Sequence, residues 1–240
     1  MIVKDISFSR PEDNILFDEV LLALAEKGET GEVLRFWESP VDFIVLGRIS
    51  KESEDICWEH VSRDHVPVLR RASGGGTVLQ GPGCLNFSLI LSKVIHPELS
   101  DINQSYRWVL ERIIGALGHL GIRAVFMPIS DLALAHNQKK VSGNAQKRGK
   151  TFILHHGTVL CSADLKKIEH YLLMPKDKPQ YRGSRSHLDF VANLNCTPIE
   201  VKKEITSFFM ASPSAVEMSS LEKETLKAFV LSKNPHVAQL

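Results

Sequence analysis

The chain has 240 residues, 43% hydrophobic and 24% charged, with 29 Lys and Arg against 28 Asp and Glu and a formal net charge of +1. That length fits one fairly large domain, or one with a small appendage, able to bury most of its apolar surface without disulfides or metals. The balanced charge sets up no global field that would draw the chain to nucleic acid or a membrane surface. The four cysteines, Cys57, Cys84, Cys161 and Cys196, form no C-x-x-C pair and no metal-ligand cluster, a usage that suits a reducing compartment. Charges interrupt the N-terminal MIVKDISFSR, so no signal peptide and no membrane span is expected, and the cytoplasm is the expected location.

In chain order, residues 13–27 place Ile15, Leu16, Val20, Leu21, Leu24 and Ala25 near one helical stripe, with Asp13 as a cap and Gly28 as the stop. Strands are expected over 34–38 and 43–46, split by Ser39-Pro40, then over 66–71 and 85–91. Residues 101–120 carry the strongest helical pattern, through Tyr106, Val109, Leu110, Ile113, Leu117 and Leu120, closed by Gly121. Short strands follow over 123–126, 132–135, 140–142 and 151–160. Residues 199–240 hold two weaker helical patterns broken at Ser212-Pro213-Ser214. This order is not a regular βαβα alternation, and it points to an α+β fold with a mixed or largely antiparallel sheet.

The most informative stretch is Arg70-Arg71-Ala72-Ser73-Gly74-Gly75-Gly76-Thr77. Three glycines allow positive φ and close approach to a ligand, and their N–H groups can converge on an anion. The paired arginines add forked, charged donors suited to phosphate or carboxylate. The pattern G-x-x-x-x-G-K-[ST] is absent, and the dinucleotide-binding fingerprint needs a strand before and a helix after, whereas this loop lies between two strands. An exposed glycine hairpin is the competing reading.

A second stretch, Lys139-Lys140-Val141-Ser142-Gly143-Asn144-Ala145-Gln146, surrounds one lysine with small residues. Lys140 can bind a carboxyl oxygen and a phosphate together where negative charge builds up during acyl transfer. The alternative is a solvated basic turn running into Lys147, Arg148 and Lys150. Asp131 can hold Mg²⁺, orient Lys140 or merely cap a turn. His155-His156-Gly157-Thr158 lies in a strand-like run, where a histidine can be a ligand, a base or a half-buried structural group.

Taken in order, these stretches resemble the lipoate–protein ligase branch of the biotin/lipoate ligase superfamily. The matching residues are Arg70-Arg71-x-Ser73-Gly74-Gly75-Gly76-x-Val78, Asn86-Phe87-Ser88, Asp131, Lys140-Val141-Ser142-Gly143-x-Ala145, His155-His156-Gly157-Thr158-x-Leu160 and Arg185-Ser186-x(4)-Val191-x-Asn193-Leu194. The resemblance implies a sheet flanked by helices, like the catalytic core of biotin ligases and class II aminoacyl-tRNA synthetases. It implies ATP contacts at Arg71, Gly76, Thr77, Val78 and Leu79, with Asp131 and Lys140 beside the adenylate. Arg70, Ser73, Gly74, Gly75, Lys140, Ala145 and His156 would shape the lipoate pocket. ATP, Mg²⁺ and lipoate are then the expected ligands, lipoyl-AMP the intermediate and Lys140 the catalytic residue. Expected partners are lipoyl domains of 2-oxoacid dehydrogenase E2 subunits and the glycine cleavage H protein, with a separate accessory-domain chain as a further one. Residues 1–198 would form the catalytic domain and 199–240 a short helical extension in place of a full accessory domain.

The segment Gln80-Gly81-Pro82-Gly83-Cys84 departs from the family pattern, with Gly81 and Cys84 where many members carry an aspartate and Gly-Asn. The closest rival is an octanoyltransferase or lipoyl amidotransferase of the same fold, which needs a cysteine for thioester exchange. The two loops where such cysteines occur, 125–130 and 172–175, have none here, which leaves Cys84 as the thiol to test. A lipoate- or nucleotide-binding protein without catalysis is the remaining alternative.

Overall fold

The computed structural model describes residues 1–213 and 217–233. The strands are β1 (Ile2–Asp5), β2 (Val33–Trp37), β3 (Phe43–Leu46), β4 (Val68–Arg70), β5 (Val78–Gln80), β6 (Cys84–Ser92), β7 (Ala124–Met127), β8 (Asp131–Leu134), β9 (Lys140–Arg148), β10 (Phe152–Leu160) and β11 (Ser212–Pro213). The helices are α1 (Pro11–Glu26), α2 (Glu52–Asp55), α3 (Trp58–Arg63), α4 (Ile102–His119), α5 (Leu165–Tyr171), α6 (His187–Phe190), α7 (Pro198–Phe208) and α8 (Ser220–Lys233), with 3-10 turns at Pro97–Ser100 and Gln180–Arg182. Eight strands form one sheet in the order β11-β1-β2-β6-β10-β9-β8-β7, antiparallel except where β1 runs parallel to β2 and β11. A second sheet, β4-β3-β5, has three strands. The expected α+β architecture with a mostly antiparallel sheet is what the chain adopts. No helix among the described residues is long and apolar enough to cross a membrane.

Alternation along the central strands separates two unlike faces. Leu85, Phe87, Leu89 and Leu91 of β6, with Leu34 and Phe36 of β2, pack against Val109, Leu110, Ile113 and Leu117 of α4 and Val201 and Ile205 of α7. On the other face Ile90 and Leu154 pack against Phe17, Leu21 and Leu24 of α1, and α1 is covered in turn by Leu226 of α8. The intervening residues on that face, Arg35, Asn86, Ser88, His156 and Thr158, are polar. Burial of α1 between sheet and α8 explains why most of its circumference is buried, well beyond one stripe.

Helix ends follow local chemistry. Pro11 occupies the first helical position of α1, where its fixed φ and missing N–H cost nothing. Asp13 therefore does not cap the helix as expected; it lies in the first turn with Glu12, at the positive end of the dipole. Gly28, at φ 78°, lets the chain reverse so that its N–H and that of Glu29 reach the carbonyls of Ala25 and Leu24. Asp101 caps α4 through Gln104 N–H at 2.8 Å. The expected break at 212–214 contains β11, and residue 214 lies outside the described residues.

A buried ion pair fastens α1 to the polar face. Arg35 Nη1 lies 2.6 Å from Asp18 Oδ1, and the Arg35 side chain is fully buried. The guanidinium also donates to the Ile6 and Asn14 carbonyls and to Asn14 Oδ1. Burial alone would raise the Asp18 carboxyl above 3.8; Arg35, His156 and Ser88 outweigh it and hold the group below. The stability this adds is present above pH ~4 and is lost as pH falls through the lowered native value. Arg35→Met, which strands the Asp18 charge, should cost about 3–5 kcal/mol in urea unfolding at pH 7, and the double variant Asp18→Asn/Arg35→Met should recover most of it. Equal destabilisation by the single and double variants would contradict this account.

Candidate active site

The glycine-rich loop between β4 and β5 lies over the polar face of the main sheet. Gly47 makes the close approach possible, since any side chain there would collide with the Gly75 carbonyl. Gly75 is left-handed at φ 85°, and a Cβ on it would come within 2.9 Å of Arg71 Nη2 and 3.9 Å of the Ala145 Cβ. Arg71 organises this loop from inside. Its Nε donates to Ser73 Oγ and the Gly74 carbonyl, and Nη2 donates to the carbonyls of Gly74 at 2.7 Å and Gly76 at 2.8 Å. Burial brings its pKa down to about 10, so it stays charged at neutral pH. Among the described residues, no protein acceptor engages the N–H groups of Gly74, Gly75 or Gly76. The competing reading of an exposed hairpin fits Arg70, Gly75 and Gly76, which are exposed, but not Arg71 and Ser73, whose side chains are bound inward.

Arg70 points elsewhere, to the Gly47 and Ser50 carbonyls, both at 2.8 Å, and to Glu52 at 3.5 Å. Thr77 gives its hydroxyl to Asp55. Val78 packs with Trp37, Phe43 and Val45 between the two sheets, whereas Leu79 joins Ile44, Leu46 and Tyr171 in a separate cluster.

Ser73, 2% exposed, connects the loop to the sheet: its Oγ lies 2.6 Å from His156 Nε2. His156 Nδ1 lies 3.6 Å from Asp18 Oδ2, which also accepts from Ser88 Oγ at 2.6 Å. His156 stands opposite Ala145 across the β9–β10 pair. His155 points the other way, into the core beside α4. Burial lowers its pKa to about 3, so it is a neutral structural group bonded to Gln146 at 3.0 Å. Next to His156 on the polar face, Gln80, Asn86 and Thr158 close a ring of hydrogen bonds at 2.6–3.0 Å.

Lys140 reaches the same face because of a bulge. Leu132 pairs with Ser142 but Ala133 pairs with Lys140, so β9 carries one extra residue, Val141. Val141 drops into the α4 core, and the Lys140 side chain turns over Gly143 to meet Asp131 Oδ1 at 2.8 Å. A Cβ on Gly143 would sit 2.9 Å from Lys140 Nζ and Cε, so glycine is the residue that admits the lysine. Tyr181 donates to the other Asp131 oxygen at 2.7 Å; burial and the carboxylate both push its phenol pKa up. The strand expected over 140–142 runs on to Arg148, and Lys147, expected in a solvated turn, instead pairs with Glu19 of α1 at 3.0 Å. Each oxygen of Asp131 thus has one protein partner, Lys140 or Tyr181. Among the described residues no three His, Cys, Asp or Glu side chains gather as metal ligands.

Of the expected residues, Arg70, Thr77 and Leu79 point away from the main sheet, and the others named below form two groups on its polar face. The glycine loop, Ala145 and His156 make one, and Lys140 with Asp131 makes the other, the lysine amine lying over Gly143, which is two residues along β9 from Ala145 and hence roughly 7 Å from it. Sequence reasoning missed Asp18, Arg35, Gln80 and Tyr181. Asp18 was readable only as a polar residue on a helix, and Tyr181 carried no motif.

A family model of the lipoyl protein ligase A/B catalytic domain matches residues 10–209. The chain belongs to that family. A Mycoplasma pneumoniae protein named probable lipoate-protein ligase A is 30% identical over 223 residues, covering 90% of this chain and 63% of the relative. The chain therefore spans less than two thirds of that relative's length. Two solved structures share the family fold. A bipartite lipoate protein ligase from Thermoplasma acidophilum, described with its E2 lipoyl domain, has a TM-score of 0.81 at 20% identity, covering 97% of this chain and 92% of that one. A lipoate-protein ligase A bound with ATP has a TM-score of 0.80 at 20% identity, covering 97% and 94%.

Within this family frame the thiol at Cys84 is not presented to a substrate. It packs with Leu160, Phe190 and Val191, and the adjoining cavity, ≈ 10 Å³ in volume, holds no more than a water. Burial pushes the Cys84 thiol up to about 12. Native protein at pH 8 should leave Cys84 unlabelled by iodoacetamide, with alkylation appearing only in denaturant, as read by peptide mass spectrometry; rapid native labelling would contradict the buried thiol.

Proposed function

We propose that this chain activates lipoate, or octanoate, with ATP to give acyl-AMP and pyrophosphate, and then passes the acyl group to a lysine of a lipoyl-domain protein. The observation that carries this reading is the pairing of two positive elements on one face. The glycine loop offers three unengaged amides and rests against Ala145, and the Lys140 amine lies over Gly143, two residues or roughly 7 Å along the strand from Ala145. An acyl-adenylate has two oxygen-rich centres, the acyl carbonyl and the α-phosphate, one for each element.

In the first step a lipoate carboxylate oxygen attacks the α-phosphorus, and pyrophosphate leaves. Lys140 and the loop amides stabilise the charge on the phosphoryl and carboxyl oxygens, each such donor being worth about 3 kcal/mol of barrier. In the second step the carrier amine attacks the acyl carbon and AMP departs. Asp131 and Tyr181 hold the Lys140 ammonium in one place, so the protein's part is orientation and fixed charge. Magnesium enters only as the counter-ion of the nucleotide, and no step is assigned to it. The lipoyl domains of E2 subunits and the glycine cleavage H protein are the carriers in this reading.

The thioester route has less support. Cys84 and Cys161 are both buried, and burial pushes each thiol up to about 12, which disfavours the thiolate that exchange requires.

Incubation with lipoate and MgATP, without a carrier, should yield lipoyl-AMP and pyrophosphate. Failure, combined with acyl transfer from an acylated carrier without ATP, would replace this reading with the thioester route. Lys140→Ala should keep its melting temperature within a few degrees while acyl-AMP formation falls by about 10²- to 10³-fold. Gly143→Ala is expected to fold as well, because only the flexible end of Lys140 has to move. It should still lower kcat at least about tenfold, the equivalent of 1.4 kcal/mol of barrier, by displacing the amine.

A further inference from the structure

Residues 162–195 form a strap that leaves the end of β10, carries α5, the Gln180–Arg182 turn and α6, and comes back beside its own start just before α7. Three contacts close the foot of this strap. Leu194 N–H donates to the Leu160 carbonyl at 2.7 Å. Asn193 clamps Ala163 twice: its Nδ2 donates to the Ala163 carbonyl at 2.9 Å, and its Oδ1 accepts from the Ala163 N–H at 3.1 Å. The third contact joins two thiols, Cys161 and Cys196. It favours the Cys196 thiolate and disfavours that of Cys161, so the Cys161 S–H donates to the Cys196 sulfur. Both cysteines pack on the core between α4 and α7. Their main chains are fixed as well. Cys161 N–H donates to the Gly83 carbonyl at 3.0 Å, and Cys196 directly precedes Thr197, whose capping box with Glu200 starts α7.

The strap grips the lysine hairpin. Tyr181 bonds Asp131, the partner of Lys140. Arg185 donates to the Gln138 carbonyl in the β8–β9 turn at 3.1 Å. Val191 bridges Lys140, and Ala192 N–H donates to the Lys140 carbonyl at 2.9 Å. A device that fixes the foot of the strap therefore fixes this grip. The two thiols at the foot differ in access. Cys161 is 4% exposed, and burial pushes its thiol up to about 12. Cys196 is half-buried in the turn between Asn195 and Thr197, with the Cys161 proton directed at its sulfur. A reachable thiol backed by a second, deeper one is the arrangement of an entry cysteine and its resolving partner. Burial raises the Cys196 thiol too, so this pair reacts slowly at neutral pH and serves as a clasp, not as a rapid sensor.

We propose that Cys161 and Cys196 form a reversible disulfide clasp that locks the foot of the strap beneath the lysine hairpin, closed by exchange with a small-molecule disulfide. The Cys196 thiolate attacks one sulfur of the small disulfide, whose S–S bond breaks and releases one thiol. The Cys161 sulfur then attacks the Cys196 sulfur of the mixed disulfide, expels the second thiol and forms the internal S–S bond. The two protons of the protein thiols end on the two released thiols. The protein dithiol is oxidised and the small disulfide is reduced. Closing residues 161–196 into a covalent loop restricts the unfolded chain and so favours the native strap. None of this depends on the acyl-transfer reading.

The test is to incubate the full chain with oxidised glutathione at pH 8, block the remaining thiols with iodoacetamide in denaturant, and map tryptic peptides without reductant. The expected product joins the peptide of residues 151–166 to that of residues 186–202. The link should raise the melting temperature by about 5–10 °C. It should also slow native trypsin cleavage at Lys176 and Lys178, which lie on the strap, severalfold. Dithiothreitol should reverse both effects. Cys196→Ser, which leaves the buried Cys161 in place, should form no link and show no gain in melting temperature on oxidation. Complete alkylation of the four cysteines after oxidation overturns the proposal, as does glutathione retained at Cys196 with no internal link, or a link from Cys161 to Cys84. A link between Cys161 and Cys196 that leaves the melting temperature or the cleavage of the strap unchanged overturns it too, because the foot would then not be held by the bond. So does a rise in melting temperature that Cys196→Ser shares.

Discussion

The ion pair between Asp18 and Arg35 is the constraint on which the site depends. Two charges can remain fully buried only if each is paired and its other hydrogen-bonding positions are filled. Here Asn14 and the Ile6 carbonyl complete the arginine, while Ser88 and His156 complete the aspartate. These partners come from α1, β2, β6 and β10, so a single network fixes the helix on the sheet and the register of three strands beneath it. Sliding α1 by one turn would strand both charges. His156 is held at one end of this network, Ser73 bonds His156, and the glycine loop follows Ser73. Placement of the loop is therefore set from the core outward.

Lys140 is placed by a different device, independent of that network. A one-residue bulge exchanges the faces of Lys140 and Val141, Gly143 leaves the space into which the side chain bends, and Asp131 and Tyr181 end its travel. The strap carrying Tyr181 is tied to the hairpin through Arg185 and Ala192. The two positive elements thus sit on opposite parts of one rigid face and derive from segments more than sixty residues apart in sequence. Rigid strands suit a reaction whose demand is the fixed spacing of two oxygen-rich centres.

How much of this could be read in the sequence depends on which force shapes each piece. The long helix α4, the strand β6 and the glycine loop were legible, because apolar periodicity and glycine runs act locally. Strand β9 past Ser142 was not: GNAQKR has little strand preference and is held extended by pairing with β10, and at Gly143 with β8 as well. The three-residue β5 is too short for any pattern. Asp18 looked like the wet side of an amphipathic helix, and only the covering of α1 by sheet and α8 turns it into a core residue. The bulge at Val141 has no signature, so Lys140 was found through the family pattern and its orientation came from the fold.

The way the cations are satisfied separates the scaffold from the site. Arg35 and Lys140 face carboxylates, which neutralise them. Arg71 and Arg185 are held by neutral carbonyls, which fill donors but cancel no charge, and Arg182 has only one such contact. Arg70 follows the same habit, with only a loose, exposed approach to Glu52. In a chain with a formal net charge of +1, these arginines are thus fixed by backbone carbonyls and not by carboxylates. Charge held without a counter-ion stays available to an anion, which suits the proposed acyl-adenylate chemistry. A site built to hold a neutral thioester would have no need of it.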